Sequence, residues 1–383
     1  MPANPGLDTS ADVIVIGGGA QGMISARRLA EAGRKVVLVE RERVGHGTSR
    51  AGGGIMSPLK PWAAAGPVSR LAAISLPLLP GLAAALQRDT GINPEYRASG
   101  MIYLDCEDLE AALAFATRND MRAELLDEAA LAALAPAAAR SAGPSLLLPE
   151  LAQIRNPRLL DALAADLRRR GVAVLEQAGE VRLARSGDGV AVEAGPHGRL
   201  QAAATVVAAG AWSSPLLAGL GVQLPVVPVR GQILWYMLPR PVLSHMLMRG
   251  DHYVIPRHEG VVLVGSTVEH AGFDMSTTPE AAEALRAAAA GMMPLLGGLA
   301  AQGQWAGLRP ASPDGVPLIG PVPGVPGLWV NTGHFRNGVN LATGSAELLA
   351  ALLGGAPPPL DPEPYDPAAR MAQSGPDAYN RTH

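Results

Sequence analysis

Three glycines, Gly17, Gly19 and Gly22, stand in the stretch VIVIGGGAQGMISARRLAEAGRKVVLVE, between an apolar run and a segment whose small and apolar residues recur at helical spacing. That placement suits a dinucleotide pyrophosphate. Gly17 permits a tight turn, Gly19 lets backbone approach the phosphates, and Gly22 lets the helix pack close to the strand, so that free helix N–H groups face the anion. Glu40 comes 18 residues (40 − 22) after Gly22, close to the roughly 20 at which a carboxylate meets ribose hydroxyls. A carboxylate there disfavours a 2′-phosphate, which sets NADP aside and leaves NAD and FAD open.

Two further residues point to a carboxylate. Arg309 sits between apolar residues in WAGLRPASPDGVPLIG, and Tyr253 lies inside an apolar strand. An arginine in such surroundings pairs with a bidentate anion, either a carboxylate of the protein or one of a ligand. Local sequence leaves both readings open.

Two glycine-rich segments add to the dinucleotide reading. GHGTSRAGGGIMSP, Gly45 to Pro58, follows Glu40 where a simple NAD domain would enter another helix. Such a loop can lay backbone along a pyrophosphate and a flat ring, with Thr48 and Ser49 as donors. NTGHFRNGVNLATGSAELLAALL runs from a strand end through Gly333 and Gly338 into a helix from Ala342. It aims helix N–H groups at whatever lies above, which suits a ring that gains negative charge on reduction, and Arg336 stands between its two glycines.

Other chemistries lack their residues. HExxH, CxxC, GxSxG and P-loop patterns are missing, and His252, His258 and His270 do not have metal-ligand spacing, so no metal is expected. The one cysteine, Cys106, excludes an internal disulfide. A formal net charge of −3 without a Lys/Arg block gives no footprint for nucleic acid or an anionic membrane. Met1 to Ser10 lacks the apolar core of a signal peptide, so a cytoplasmic enzyme is expected.

The elements that must position these residues follow from periodicity. Asp12 to Ile16 and Lys35 to Val39 read as buried strands flanking a helix. Further strands are expected at Gly100 to Leu104, Val172 to Leu175, Thr205 to Ala209, Gly231 to Met237, His252 to Pro256, Gly260 to Gly265 and Gly327 to Asn331, with a hairpin turning at His258 to Gly260. The alanine-rich patches 111–116, 129–139 and 281–290 read as helices. Two uncharged runs, Leu71 to Gln87 with Pro77 and Pro80 and Gln201 to Val229, are expected to be buried strands and turns instead of membrane spans. The fold class is therefore α/β: a Rossmann-like cofactor domain interrupted by an antiparallel-sheet substrate domain. The expected division gives 10–92, 150–222 and 304–356 to the cofactor and 93–149 and 223–303 to the substrate. The proline-rich tail 357–383 is expected to be extended or disordered.

Four segments in this order, VIVIGGGAQG, TSRAGGGIMSPLKPW, VVAAGAWS with VPVRGQIL, and AGLRPASPDGVPLIGP with GHFRNG, resemble the D-amino-acid oxidase family of flavoproteins, most closely its glycine oxidase branch associated with thiamine synthesis. The resemblance spans residues 12 to about 355. It implies non-covalent FAD, held by Gly17, Gly19, Gly22, Glu40, Arg41, Thr48, Ser49, Gly53, Gly54 and Ile55, by the backbone of Val181 at the adenine, and by Gly333, His334, Phe335, Arg336, Asn337, Gly338 and Val339 around the flavin. It further implies that Arg309 pairs with a substrate carboxylate, that Tyr253 assists it, and that Arg336 lies near the same pocket. The implied partners are a small amino acid and O2, with a homo-oligomer of two or four chains.

The implied reaction is oxidative deamination of glycine, sarcosine, D-alanine or D-proline. Ile55 and Val268 are expected to roof a small apolar pocket, and D-chirality rests on the resemblance alone. A dehydrogenase that passes electrons to a quinone and a flavoprotein without turnover are the rival readings. The chain departs from the family at Phe335, where tyrosine is frequent, at Arg50, where an aromatic is frequent, and at Asp251, where some members carry histidine. The segment Trp305 to Gly320 holds no cysteine to tether a flavin, unlike related sarcosine oxidases.

Overall fold

The structure, a computed structural model, describes residues 11–187 and 189–372. Its first layer grows from the glycine stretch. ADVIVI and VVLV carry apolar side chains in succession, which suits strands covered on both faces. Ala11–Ile16 pairs in parallel with Val36–Val39 on one side and with Arg199–Val207 on the other. Ala173–Leu175 and Leu328–Thr332 extend the parallel core outward, and antiparallel strands Arg182–Ser186, Gly189–Glu193 and Leu318–Pro321 complete eight strands. Helix Ala20–Glu31 packs Met23, Ala26 and Leu29 onto this sheet, and helices Asn156–Arg169 and Ala342–Gly354 bury Leu159, Leu163, Leu348 and Leu349 in the same core.

A second eight-stranded sheet has the order Gly303–Ala311, Val227–Met237, Val261–Gly265, His252–Pro256, Met246–Arg249, Met101–Tyr103, Ser145–Leu148, Glu124–Leu126. Every pairing is antiparallel except that of Met246–Arg249 with Met101–Tyr103. The expected hairpin is present, turning through His258–Gly260 with Glu259 at φ 66°. Helix Pro279–Met292 covers one face with Leu285 and Ala289, and the other face is left to the site.

Three expectations need correction. The run 71–87 is helical: Gly66–Ser75, a 3-10 turn at Leu76–Leu78 and Leu79–Thr90 follow one another. Pro77 and Pro80 each fall in the first turn of the piece they begin, where the missing N–H has no helical partner to lose. Gly66–Thr90 is long and apolar enough to cross a membrane by length and composition, while its face bearing Leu71, Leu79 and Leu86 is fully buried in the core. In the alanine patch 129–139 the helix is only Glu128–Leu134, and Ala135 to Ala139 lie beyond it.

The third correction concerns the tail. Up to residue 372 it is folded: Glu363–Tyr365 forms a 3-10 turn and Pro367–Ala372 a helix. Tyr365 is fully buried and donates its hydroxyl to the Pro67 carbonyl at 2.6 Å, while Arg370 reaches the Pro313 carbonyl. An aromatic anchor outweighs the polar, proline-rich composition around it. Residues 373–383 lie outside the described residues.

Candidate active site

The glycine turn has the packing its sequence requires. Gly17 has φ +114°, and a Cβ on it would lie 2.5 Å from the Ala208 carbonyl oxygen; a Cβ on Gly22 would lie 1.8 Å from the Gly17 oxygen. Neither position tolerates a side chain without backbone movement. Helix Ala20–Glu31 begins at Gly19 with no capping side chain of its own, and Ser49 Oγ accepts the Ala20 N–H at 3.0 Å. Glu40 accepts the Gly18 N–H at 2.6 Å, which fixes its carboxylate above the turn.

A cavity of about 1330 Å³ opens there, larger than the roughly 300–1,000 Å³ that drug-sized molecules fill. It begins beyond the C-terminal ends of the parallel strands, at Glu40, Arg41 and Val181, and reaches the face of the antiparallel sheet at Ile233, Tyr253, Trp305 and Arg309. Nucleotides bind at such strand ends in open α/β sheets.

The far end is built by strand alternation and two glycines. Ile233 pairs across the sheet with Trp305 and with Gly265, and Gly265 pairs with Tyr253, so four strands share one floor. A Cβ on Gly265 would lie 2.7 Å from the Tyr253 hydroxyl oxygen, and one on Gly231 would lie 2.1 Å from Arg309 Nη2. Both side chains therefore lie down over bare backbone and converge on the same floor. Arg309 donates to the Thr267 carbonyl at 3.0 Å and to Ser266 Oγ at 2.7 Å. Desolvation pushes its pKa down to about 10, against a raising influence of Tyr253.

Among the described residues Arg309 has no carboxylate in ion-pair reach and the Tyr253 hydroxyl makes no protein hydrogen bond. Of the two possibilities open for Arg309, a protein salt bridge is absent. Arg336 is similar: its guanidinium lies 5.4 Å from the Phe335 ring, its Nε is buried without a partner, and burial lowers its pKa. Two arginines without acids beside one cavity favour an anionic occupant.

The loop between the two sheets is pinned from below. Thr48 donates to the Leu308 carbonyl at 2.8 Å, Trp305 Nε1 to Ala51 O at 2.9 Å, and Arg257 to Gly53 O at 2.6 Å. Gly54, at φ +73°, could carry no Cβ, which would lie 2.1 Å from the Ile154 oxygen. The Thr48 hydroxyl is thus committed to Leu308, while Ser49 Oγ keeps its hydrogen for a ligand.

Of the residues expected to hold the cofactor, Gly17, Gly19, Glu40, Arg41, Thr48, Ser49, Gly53, Gly54, Ile55, Val181, His334, Phe335, Arg336, Gly338 and Val339 line the cavity. Gly22, Gly333 and Asn337 lie behind it: Gly22 packs on Gly17, and Gly333, at φ +80°, passes within contact of Ser312. Val268 does not roof the pocket but packs with Phe335, Val229 and Ala311. Trp305, Ser266, Asn331 and Asn340 line the cavity as well. Only Trp305 left a sequence signal, sharing its strand face with Arg309 at i and i+4.

The lining fits a flavin dinucleotide. Buried polar atoms without a protein partner, His334 Nδ1, Arg336 Nε, Asn331 Oδ1 and Asn340 Oδ1, cluster where the glycine turn meets helix Ala342–Gly354. Fold and site together define a dinucleotide-binding protein whose second sheet presents Arg309 and Tyr253 to the cavity. The chain matches the family model described as FAD dependent oxidoreductase over residues 12–352, and it belongs to that family. It is an enzyme with FAD as cofactor.

Among its relatives, a glycine oxidase of Pseudomonas aeruginosa is 44% identical over 94% of this chain and 100% of its own length. A crystal structure of glycine oxidase from Geobacillus kaustophilus superposes with a TM-score of 0.88 at 28% identity, covering 94% of this chain and 98% of that one. A bifunctional ThiO/ThiG protein of Nostoc sp. is 30% identical over 89% of this chain, which spans 52% of that longer protein.

Proposed function

We propose that the protein oxidises glycine and other small amines or D-amino acids, namely sarcosine, D-alanine and D-proline, with O2 as the electron acceptor. For glycine the balance is glycine + O2 + H2O giving glyoxylate + NH3 + H2O2. FAD, when held by the cavity residues, would supply the hydride acceptor for the substrate α-carbon and the route for two electrons to O2.

The chain's own residues orient the substrate. Arg309 binds the carboxylate through a bidentate pair, Tyr253 donates its hydroxyl to the same group, and the substrate α-carbon is thereby held against the loop at Gly53. Ile55, Ile233 and Trp305 exclude bulky or charged side chains and displace water. No histidine is required as base if the amine binds neutral; His252 lies off the cavity lining.

The observation that carries this reading is the convergence of Arg309 and Tyr253 on one glycine-floored patch without a protein acid. The glycine oxidase relatives support the substrate, and the likeness to a ThiO/ThiG protein supports service to thiamine thiazole synthesis. In the same reading the cofactor is non-covalent, the chain is cytoplasmic without nucleic-acid or membrane partners, and it forms a homo-oligomer. Segments 93–149 and 223–303 serve the substrate and 10–92, 150–222 and 304–356 serve FAD, with strand Gly303–Ala311 shared, since it hydrogen-bonds along the antiparallel sheet.

One observation favours a rival, a dehydrogenase delivering electrons to a membrane quinone: the apolar helical run Gly66–Thr90, with Leu78 41% exposed. A peroxide assay across glycine, sarcosine, both alanine and proline enantiomers and D-glutamate separates the two. The oxidase forms one peroxide per amino acid consumed and prefers the four small substrates. Amino-acid consumption without peroxide, or preference for L-amino acids or D-glutamate, contradicts it.

A further inference from the structure

Arg309 is held by Ser266, which lines the cavity, and by Thr267, which does not, and a part-buried hydrogen-bonded chain continues behind Thr267. The carbonyl of Thr267 accepts from Arg309 Nη1 at 3.0 Å, and the hydroxyl of the same residue accepts the Gln232 backbone N–H at 2.9 Å and donates to Glu269. Glu269 also accepts from Gln232 Nε2 at 2.8 Å and from Arg230 at 2.6 Å, while Arg230 bonds Asp274 at 2.6 Å and the Ser276 carbonyl at 3.1 Å. Residues 269 and 230 are further tied by two backbone hydrogen bonds of 2.8 and 2.9 Å.

We propose that Thr267 and Glu269 are positioning residues that set the direction of the Arg309 guanidinium and so the affinity for the substrate carboxylate. The proposal rests on the carboxylate-clamp reading of Arg309. The physical case is one of rotational freedom. An arginine lying over a bare glycine has no side-chain wall to fix its fork, and a bidentate pair requires the fork plane to be fixed before the ligand arrives. The Thr267 carbonyl takes one hydrogen of Nη1 and Ser266 Oγ one of Nη2, which fixes the fork and leaves each nitrogen a second hydrogen for the ligand.

Residue 267 can hold that carbonyl still because its own side chain is locked between Gln232 and Glu269. Glu269 in turn is fixed by Arg230, only 8% exposed, whose charge, with the hydrogen bonds from Thr267 and Gln232, outweighs burial and keeps the carboxylate below its ordinary pKa. Arg230, 2.6 Å from Glu269, opposes the field of that carboxylate, and at Arg309 desolvation outweighs the raising influence of Glu269, so the carboxylate acts on the clamp chiefly through the orientation of Thr267.

The test uses the FAD-loaded protein and acetate, a carboxylate that cannot be oxidised by this chemistry, followed by perturbation of the flavin spectrum, with glycine kinetics in parallel. Thr267→Val removes the hydroxyl and keeps the shape. It is expected to raise the acetate Kd and the KM for glycine about five- to tenfold, the order of one oriented hydrogen bond, with kcat within about twofold and FAD affinity unchanged. Thr267→Ser restores both constants, and Glu269→Gln behaves as Thr267→Val. The proposal is overturned if Thr267→Val leaves the acetate Kd unchanged, or if KM, kcat and FAD affinity all deteriorate together. Arg309→Ala serves as the control. If it abolishes acetate binding while Thr267→Val does not weaken it, only the positioning proposal fails; if it too leaves acetate binding intact, the clamp reading itself fails.

Discussion

The Arg309 guanidinium lies directly over Gly231, so close that a Cβ at that position would stand 2.1 Å from Nη2 and 2.3 Å from Cζ. The strand carrying Gly231 is otherwise ordinary and pairs in register with the arginine's own strand, Gly231 opposite Gly307. Gly231→Ala therefore displaces the clamp without disturbing the sheet. The expected result is a loss of about 10²-fold in kcat/KM, the scale on which an ångström of misplacement acts, with the thermal midpoint nearly unchanged; paired steady-state kinetics and melting curves check it.

Histidines and arginine separate two mechanisms. Arg309→Ala should cost about 10²- to 10³-fold in kcat/KM, as removal of one partner from a desolvated, hydrogen-bonded charge pair does. His252→Ala, on the strand face away from Tyr253, should leave turnover near the parent value, and so should His270→Ala. Loss of activity with either histidine variant and retention with Arg309→Ala would reverse the assignment.

Gly22→Ala probes the cofactor side. Its Cβ would fall 1.8 Å from the Gly17 carbonyl oxygen, so the helix has to move off the turn that receives the pyrophosphate, and overpacking of this kind costs about 1–3 kcal/mol or more. The variant should be purified with little FAD and melt at a lower temperature, and added FAD should restore the melting point only in part. Absorbance per chain and melting with and without FAD measure both effects.

His334 gives a pH dependence with a definite sign. Desolvation pushes its pKa down to about 3, and its Nε2 lies 2.9 Å from Ser345 Oγ. The folded chain holds it neutral, while the unfolded chain takes up a proton near its ordinary value of about 6.5. Its contribution to stability is therefore complete above pH 6.5 and is lost as pH falls towards 3. His334→Gln should flatten the fall of stability across that window, as read by denaturant unfolding at stepped pH; an unchanged slope would mean the histidine is solvated.

Much of this was legible in residues whose neighbours are local. The turn at Gly17 to Gly22 and the hairpin through His258–Gly260 rest on a few consecutive residues or on period-2 alternation, whereas the approach of Arg309 to the cavity was implied only by the family resemblance, local sequence leaving a protein salt bridge equally open. What sequence could not show depends on distant pairing. The helix 66–90 hid behind Pro77 and Pro80, which break a helix in mid-run but open one at its first turn. Tyr365 buries itself beside Pro67, nearly three hundred residues earlier in the chain, and no composition reveals that. Val268 follows the pocket strand closely yet turns to Phe335, since the chain leaves the sheet after Gly265. The Glu269 chain behind Arg309 was invisible because its members are scattered between residues 230 and 276 and meet only in the folded chain.

The central claim, that Arg309 holds a small amino acid's carboxylate against bound FAD, is tested most directly by mixing the FAD-loaded protein with glycine in the absence of oxygen and following bleaching of the flavin, for the parent chain and for Arg309→Ala. The parent should bleach fully and then yield one peroxide per flavin when oxygen is admitted, while Arg309→Ala should bleach at least about a hundredfold more slowly at the same glycine concentration. A parent flavin that stays oxidised with glycine, sarcosine, D-alanine and D-proline alike, or an Arg309→Ala flavin that bleaches as fast as the parent, would contradict it.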